Sequence, residues 1–504
     1  MTTFTTPGTT STAPGTDRRS HAAELIASLP TGLFIGGEWA PAADGATFAV
    51  ENPATGEVIA HVAKGGQADA AAAIEVAAAT QKSWAATPPR RRSEILRRAY
   101  ELILERQDDL ALIMTTEMGK PLAEAKGEVA YGAEFFRWFA EEAVRIDGGH
   151  TTTGDGTNRI LVTKEPVGPC ILITPWNFPL AMGTRKIGPA IAAGCTMVFK
   201  PAELTPLTTL ALTEILTLAG LPAGVLNVVT TDSPGSVVET WMDSGLARKV
   251  SFTGSTEVGK LLLEQASRTV MRTSMELGGN APFIVCADAD LDKAVAGAMV
   301  AKMRNMGEAC TAANRMFVHR SVAGEFAARL AEKMESLTVG DGADDGTDVG
   351  PLVERKAIDK VRMLVADAVD RGATVVCGGE GTSDPGYFYQ PTVLTGVDPH
   401  SDLMGTEIFG PVAPVIPFDT EDEVIEIANN TPWGLVGYLF TQDIDRGLRM
   451  SSALEVGMVG LNTGLVSNPA APFGGVKQSG LGREGGRVGI EEFLEIKYLA
   501  IPTS

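Results

Sequence analysis

The sequence predicts an α/β protein made of two doubly wound parallel sheets with a β appendage, and three observations predict it. From Gly168 onward, short apolar runs alternate with helical patterns of about 10–15 residues, which calls for right-handed crossovers and parallel strands. The alternation restarts after Glu276, so a second sheet follows the first. Two strand-like segments, residues 151–164 and 494–501, stand outside it. A chain of 504 residues has room for two or three separate cores.

The elements follow in order. The first 22 residues, rich in Thr, Ser, Gly and Pro, are expected to be a disordered tail. They lack the apolar stretch of a signal peptide and the spaced arginines of an organelle presequence. Phe34–Trp39 and Phe48–Val50 read together as a short hairpin. Residues 67–79 and 89–106 read as amphipathic helices, and 121–145 as a helix with Pro121 in its first turn, where a missing N–H is harmless. The first α/β set has strands at 170–174, 195–200, 225–230 and 249–253, with helices at 178–192, 206–219, 236–242 and 255–267. The second has strands at 283–286, 315–319, 373–377, 412–417, 435–440 and 457–461. Its helices are expected at 291–305, 322–336, 355–371, 421–428 and 444–453. Segments 151–164 and 494–501 have no evident partner nearby and are expected to pair with another subunit, since bare edges invite association.

Composition narrows the function. With 62 acidic against 42 basic residues, net charge −20, nucleic acid and anionic membrane surfaces are unfavourable partners. No apolar run is long enough to span a bilayer, and the cytoplasm is the expected location. Cys170, Cys195, Cys286, Cys310 and Cys377 form no CxxC pair and no Cys/His cluster, so neither a disulfide framework nor a metal site is expected. The histidines at 21, 61, 150, 319 and 400 lie outside suggestive motifs, which disfavours a Cys-His hydrolase and leaves a carboxylate as the general base.

Cys170, Cys286 and Cys377 sit in apolar strand-like runs. Cys310 instead lies among polar and small residues, Arg304-Asn-Met-Gly-Glu-Ala-Cys310-Thr-Ala-Ala-Asn-Arg315. A thiol attacks electrophilic carbon as thiolate, scarce at neutral pH for an ordinary pKa of ~8.5, so Gly307, Arg304 and a base at Glu276 are its candidate supports. Read alone, Cys310 is more often an inert cysteine than a reactive one. Asn177, in Thr174-Pro-Trp-Asn-Phe-Pro179, reads either as a helix N-cap or as an amide aimed at an oxyanion. Lys200-Pro-Ala-Glu203 ends a strand, so Lys200 and Glu203 either meet a ligand or form a solvated pair. Gly254-Ser-Thr-Glu-Val-Gly-Lys-Leu261 opens a helix and suits a phosphate, but Leu261 replaces the hydroxyl a P-loop needs. Glu407-Ile-Phe-Gly-Pro411 and Pro472-Phe-Gly-Gly-Val-Lys-Gln-Ser-Gly480 are glycine-rich loops that serve either a ligand or a turn.

Taken together and in this order, these motifs resemble the aldehyde dehydrogenase superfamily from about Phe34 to Ile501. Leu461-Asn-Thr-Gly464, Ser467, 480–485 and 494–498 are similar to its succinate-semialdehyde dehydrogenase group. The resemblance implies Cys310 as nucleophile, Glu276 as base, and Asn177 with the Cys310 N–H as oxyanion donors. It places NAD or NADP against Thr174, Pro175, Trp176, Lys200, Ala202, Glu203, Gly254, Ser255, Val258, Leu277, Glu407 and Phe409. Glu203 leans the choice towards NAD, because it would repel a 2′-phosphate. Arg185, Arg304 and Ser467 would grip a distal carboxylate, a task for which arginine's planar fork is suited. Read alone, Arg185 and Lys186 are helix-surface cations, and Arg304 a cation favoured near a helix C-terminus.

The implied organisation is a Rossmann-like dinucleotide-binding domain (23–148 and 168–275), a catalytic domain (276–484) and oligomerisation strands (149–167 and 485–504) in a homodimer or homotetramer. Two departures stand out. Ala312 replaces a second cysteine found in some relatives, so their disulfide switch should be missing. Glu308 replaces a frequent glutamine and is expected to raise the Cys310 pKa or disfavour an anionic substrate. A glutarate-semialdehyde or other ω-carboxylated aldehyde dehydrogenase is the nearest rival. A cofactor-independent thiol acyl-hydrolase and a non-catalytic dinucleotide-binding protein are the more distant ones.

Overall fold

The computed structural model describes residues 15–381 and 385–503. An eight-stranded sheet holds five central parallel strands in the spatial order Leu226–Val228, Met197–Lys200, Cys170–Ile173, Lys249–Thr253, Arg272–Glu276. Antiparallel strands Leu33–Ile35 and Gly480–Leu481 flank them. Strands 170–173, 197–200 and 249–253 are buried along their whole length, as a sheet covered by helices on both faces requires. A seven-stranded sheet follows in the order Thr374–Cys377, Thr392–Thr395, Val412–Phe418, Ala313–His319, Ala281–Val285, Val436–Phe440, Met458–Leu461, all parallel except the first.

Helix Leu122–Glu142 packs on helix Ala181–Ala193 through Phe135, Phe136 and Phe139. Glycines set their approach: a Cβ on Gly132 would lie 3.2 Å from Ala181 Cα, and one on Gly188 3.1 Å from the Phe139 ring. This contact seats the start of helix Ala181–Ala193 beside the loop that carries Asn177.

Several expectations are corrected. Of the expected tail, residues 1–14 lie outside the described residues, but Gly15–Ser28 is a helix. It is tied down by the ion pairs Arg18–Asp345 (2.6 Å) and Arg19–Asp344 (2.7 Å), by a hydrogen bond between His21 and Asp109 (3.2 Å), and by Ala22 and Ile26, which are buried. The expected single hairpin is two: Leu33–Ile35 pairs with Glu38–Ala40, and Thr47–Asn52 with Glu57–Ala63. Pro121 is the N-cap of its helix rather than inside the first turn.

Helix Gln107–Met118 escaped the sequence reading because most of its residues are buried, leaving no polar stripe to mark a period. Strand Arg272–Glu276 escaped because it is largely polar, and Thr392–Thr395 was not read either. The appendage strands need no second subunit for pairing. Leu494–Pro502 pairs antiparallel with Asn158–Pro166 along nine residues, and Gly149–Thr152 adds a third strand. Among the described residues, no helix is long and apolar enough to cross a membrane.

Candidate active site

From strand Cys170–Ile173 the chain winds outward to 197–200 and 226–228, then returns to the other side at Lys249–Thr253. The reversal opens a crevice at the C-terminal ends of these strands, the position where open parallel sheets bind dinucleotides. The loops that face it are those with the sequence motifs. Thr174 and Ala202 are buried, Pro175 and Trp176 half-buried. Lys200 Nζ meets Glu203 Oε2 at 2.7 Å, with the lysine buried and the carboxylate open to solvent.

Gly254 lets the backbone pass closely: a Cβ there would lie 2.4 Å from Phe252 Cζ. Ser255 caps helix Thr256–Ser267 by accepting from Val258 N at 3.3 Å. The first-turn N–H groups of Thr256 and Glu257 have no intrahelical acceptor, and Thr253 Oγ1 is buried without a partner. Leu277 is buried against Gly259, where a Cβ would lie 2.4 Å from Leu277 Cδ2. On the opposite wall, Glu407 Oε1 accepts from Gly279 N at 3.1 Å, and burial pushes its carboxyl up to about 7. Phe409, held at φ 54°, meets the Trp176 ring edge-on at 5.5 Å. Open donors, the solvent-facing Glu203 carboxylate beside Lys200 and flat apolar walls together fit a phosphate-linked dinucleotide.

The second sheet brings its own loop to this crevice. Asn305 (φ 54°), Met306 (φ 55°) and Gly307 (φ 78°) form a left-handed turn. A Cβ on Gly307 would lie 2.2 Å from Gly410 O, so only glycine fits there. The turn sets Cys310 just before strand Ala313–His319, half-buried, while the other four cysteines are fully buried. Burial pushes the Cys310 thiol up to about 12; Arg185 and Arg304 pull it down, and Glu407 and Glu276 push it up.

Glu276 ends strand Arg272–Glu276, level with Thr253 on one side and Gly480 on the other. Its Oε2 is buried without a hydrogen-bond partner, and burial together with the Glu484 carboxylate drives its pKa well up. Gly474 makes room for it, since a Cβ there would lie 2.8 Å from Glu276 Oε1.

Asn177 is not an N-cap. Its helix begins at Ala181, and the Glu128 carboxylate accepts from Leu180 N (3.0 Å) and Ala181 N (3.1 Å) instead. The Asn177 amide is buried, with Nδ2 donating to Glu308 O at 3.0 Å and Oδ1 unpartnered. Glu308 itself turns away. Its Oε1 accepts from Val353 N at 3.2 Å, and burial drives its pKa well up.

The structure separates the two arginines that the sequence grouped. Arg304 donates to Ser467 Oγ at 3.1 Å, lies 4.8 Å over the Phe178 ring and 5.6 Å over Tyr131, and makes no ion pair among the described residues. Arg185 is buried against Glu484, with Nε 2.5 Å from Oε2 and its guanidinium 4.3 Å over Phe473. Lys186, expected on a helix surface, is buried too, bonded to Glu484 Oε1 (2.5 Å) and Ser251 Oγ (2.9 Å). Among the described residues, no group of three or more His, Cys, Asp or Glu could hold a metal ion.

Comparison with known proteins settles the lineage: residues 39–499 match the profile of the aldehyde dehydrogenase family. The chain belongs to that family. This aldehyde dehydrogenase is 59% identical over 444 residues to a succinate-semialdehyde dehydrogenase of Paenarthrobacter nicotinovorans, covering 88% of this chain and 99% of the relative. It is 52% identical over 468 residues to a glutarate-semialdehyde dehydrogenase of Pseudomonas putida, covering 93% and 97%. A crystal structure described as an E. coli NADP dependent enzyme superposes with TM-score 0.93 at 49% identity, covering 95% of this chain and 99% of that one. The family and the α/β architecture expected from the motifs both hold.

Sequence reasoning about this aldehyde dehydrogenase missed Glu484, Lys120, Glu128 and Asn305. Glu484, a carboxylate beside Gly485 and Gly486 after Gly482, carried a signal, because glycines on both sides let a charged side chain be drawn inward. Lys120 and Glu128 carried none, for nothing in their spacing reveals that both are buried.

Proposed function

We propose that this enzyme oxidises succinate semialdehyde to succinate with NAD or NADP. The observation that carries the substrate class is Arg304, an arginine without an acidic partner on the same loop as Cys310, bonded to Ser467 and walled by Phe178 and Tyr131. In a protein of charge −20, such a cation is what an aldehyde with a distal carboxylate requires. Arg185, already paired with Glu484, contributes field rather than a free fork.

In this reading the Cys310 thiol passes its proton to Glu276, and the sulfur bonds to the aldehyde carbon. The carbonyl oxygen becomes an oxyanion held by an N–H of the Asn177 amide and by the Cys310 backbone N–H. The chemistry a dinucleotide supplies when bound is acceptance of the aldehyde hydrogen as hydride. An acyl group then remains on sulfur as a thioester. Glu276 releases the proton it took from Cys310 to solvent and then takes one from the water that attacks this thioester; the C–S bond breaks, the departing sulfur takes that proton back from Glu276, and succinate leaves as the thiol is restored. A carboxyl whose proton affinity is raised by burial suits both transfers.

Lys200, Glu203, Gly254, Ser255, Val258, Leu277, Glu407 and Phe409, with Thr174, Pro175, Trp176 and Ala202, are the residues that would hold the dinucleotide. Glu203 favours a free 2′-hydroxyl, whereas a close structural relative is described as NADP dependent. Comparison of kcat/KM with the two cofactors decides between them. We also assign residues 23–148 and 168–275 to the dinucleotide-binding domain and 276–484 to the catalytic domain. The sheet of Gly149–Thr152, Asn158–Pro166 and Leu494–Pro502 is the contact through which subunits form a dimer or tetramer.

A second reading, glutarate semialdehyde, is favoured by the 52% identical relative of that name. The substrates differ by one methylene, worth only ~1–3 kcal/mol of discrimination. The test is kcat/KM for four- and five-carbon aldehydes with and without the terminal carboxylate. The four-carbon semialdehyde should lead. Equal rates for carboxylated and plain aldehydes would remove the substrate class altogether.

A further inference from the structure

The Asn177 amide is held by a buried network that spans both sheets. Lys120, in the turn before helix Leu122–Glu142, sends Nζ to the Asn177 carbonyl at 2.8 Å and to Glu128 Oε2 at 2.5 Å. From the other side, Asn305 Nδ2 donates to the same Asn177 carbonyl at 3.1 Å and to Glu308 O at 2.9 Å. Glu308 O is also the acceptor of the Asn177 side-chain amide. Asn305 N in turn donates to Glu124 Oε2 at 2.8 Å.

Lys120, Glu128, Asn177, Asn305 and Glu308 are each at most 3% exposed, so water cannot replace these bonds. Asn305 is held in the left-handed region at φ 54°, ψ 43°, a conformation few side chains accept but asparagine tolerates. Its amide therefore bridges the backbone of the oxyanion loop and the backbone of the nucleophile loop.

We infer that Asn305 is a positioning residue for the oxyanion amide: with Lys120, it fixes Asn177 relative to the Cys310 loop. This rests on the reading of Asn177 as the oxyanion donor given above. An oxyanion contact tightens or fails over tenths of an ångström, and losing one such donor costs about 100- to 1000-fold in kcat in well-studied enzymes. A residue that only aligns the donor should cost less. Asn305 touches neither substrate nor dinucleotide in this arrangement, so its effect should fall on kcat and pass through Asn177.

Asn305→Gly separates this role from a folding role. Glycine accepts φ 54° without strain and keeps the backbone N–H to Glu124, so only the two amide bonds are lost. The variant is assayed alone and in an Asn177→Ala background. Expected are a roughly 10- to 100-fold fall in kcat, little change in dinucleotide Kd or thermal midpoint, and less than about a twofold further fall when Asn177 is already alanine, as a shared pathway dictates.

A kcat within about twofold of the parent, or the same fold-loss in the Asn177→Ala background, overturns the inference while leaving the oxyanion reading in place. If Asn177→Ala alone leaves kcat unchanged, the oxyanion reading fails and the inference with it. Should Asn305→Gly not fold, Lys120→Met combined with Glu128→Gln removes the other donor to the Asn177 carbonyl without stranding a carboxylate. The same cycle then applies, and parental kcat there also overturns the inference.

Discussion

Arg304→Met is the sharpest perturbation available in this site. Methionine keeps an apolar stem against Phe178 and Tyr131, so the change removes the cationic fork and little packing. The lost contact is a charge-assisted hydrogen bond to the substrate carboxylate, worth about 1.5–3 kcal/mol net. At about 1.4 kcal/mol per tenfold, kcat/KM for succinate semialdehyde should fall about 10- to 150-fold. Butanal, with the same chain and no carboxylate, never makes this contact and should change by less than about threefold. The assay is initial-rate dinucleotide reduction across both aldehydes, and the informative quantity is the ratio of the two losses. Ser467, bonded to Arg304 at 3.1 Å, gives a graded check: Ser467→Ala loses one bond to the guanidinium but keeps the cation, and should fall less than Arg304→Met. Equal losses on both aldehydes would mean that Arg304 supports the fold or the thiolate rather than the carboxylate, and the substrate argument would collapse.

Four further outcomes follow from the geometry. Glu276→Gln should give a stoichiometric burst of reduced dinucleotide and then almost no steady-state rate; unchanged turnover in stopped-flow and steady-state assays would retire Glu276 as the deacylating base. Burial favours the neutral Cys310 thiol up to about 12, so its alkylation by iodoacetamide in dinucleotide-free enzyme should climb about tenfold per pH unit from pH 7 to 10; a plateau near pH 8.5, the ordinary thiol value, would contradict this. Glu308 binds its proton more tightly folded than unfolded, so its contribution to stability is full below the unfolded value near ~4.3 and is lost as pH rises towards the folded one. Glu308→Gln should therefore raise the thermal midpoint at pH 8, with the gain vanishing towards pH 4, and leave kcat within about threefold; a destabilised variant at pH 8 would refute it. Ile496 and Tyr498 are 70% and 68% exposed on one face of Leu494–Pro502, and changing both to Glu should lower the molar mass seen by light scattering; an unaltered mass would exclude that face as a subunit contact.

Much of the site was legible because its residues sit in short local motifs at predictable places on a parallel sheet. Cys310 and Asn177 fall in loops beside strands whose apolar runs announce themselves, Glu276 was marked by its motif although its polar strand was not, and Gly254 and Ser255 open a helix where the strand pattern stops. For Glu308 the residue type is visible in sequence, but the direction of its side chain, towards Val353, is not. The surface reading of Arg185 and Lys186 failed for the same reason: their common partner Glu484 lies almost 300 residues away.

What the sequence by itself determined was the alternation of strands and helices, the loops that carry the candidate residues and the family, because periodicity and turn chemistry act over a few residues. The tertiary structure alone decided which charges are free and which are spent. It pairs Arg185 with Glu484 and leaves Arg304 open, joins Leu494–Pro502 to Asn158–Pro166 within one chain, and closes Lys120 and Asn305 on Asn177. The physical reason is burial: a charge or amide excluded from water must find a partner wherever the fold supplies one, however distant in sequence, and no local pattern records that choice.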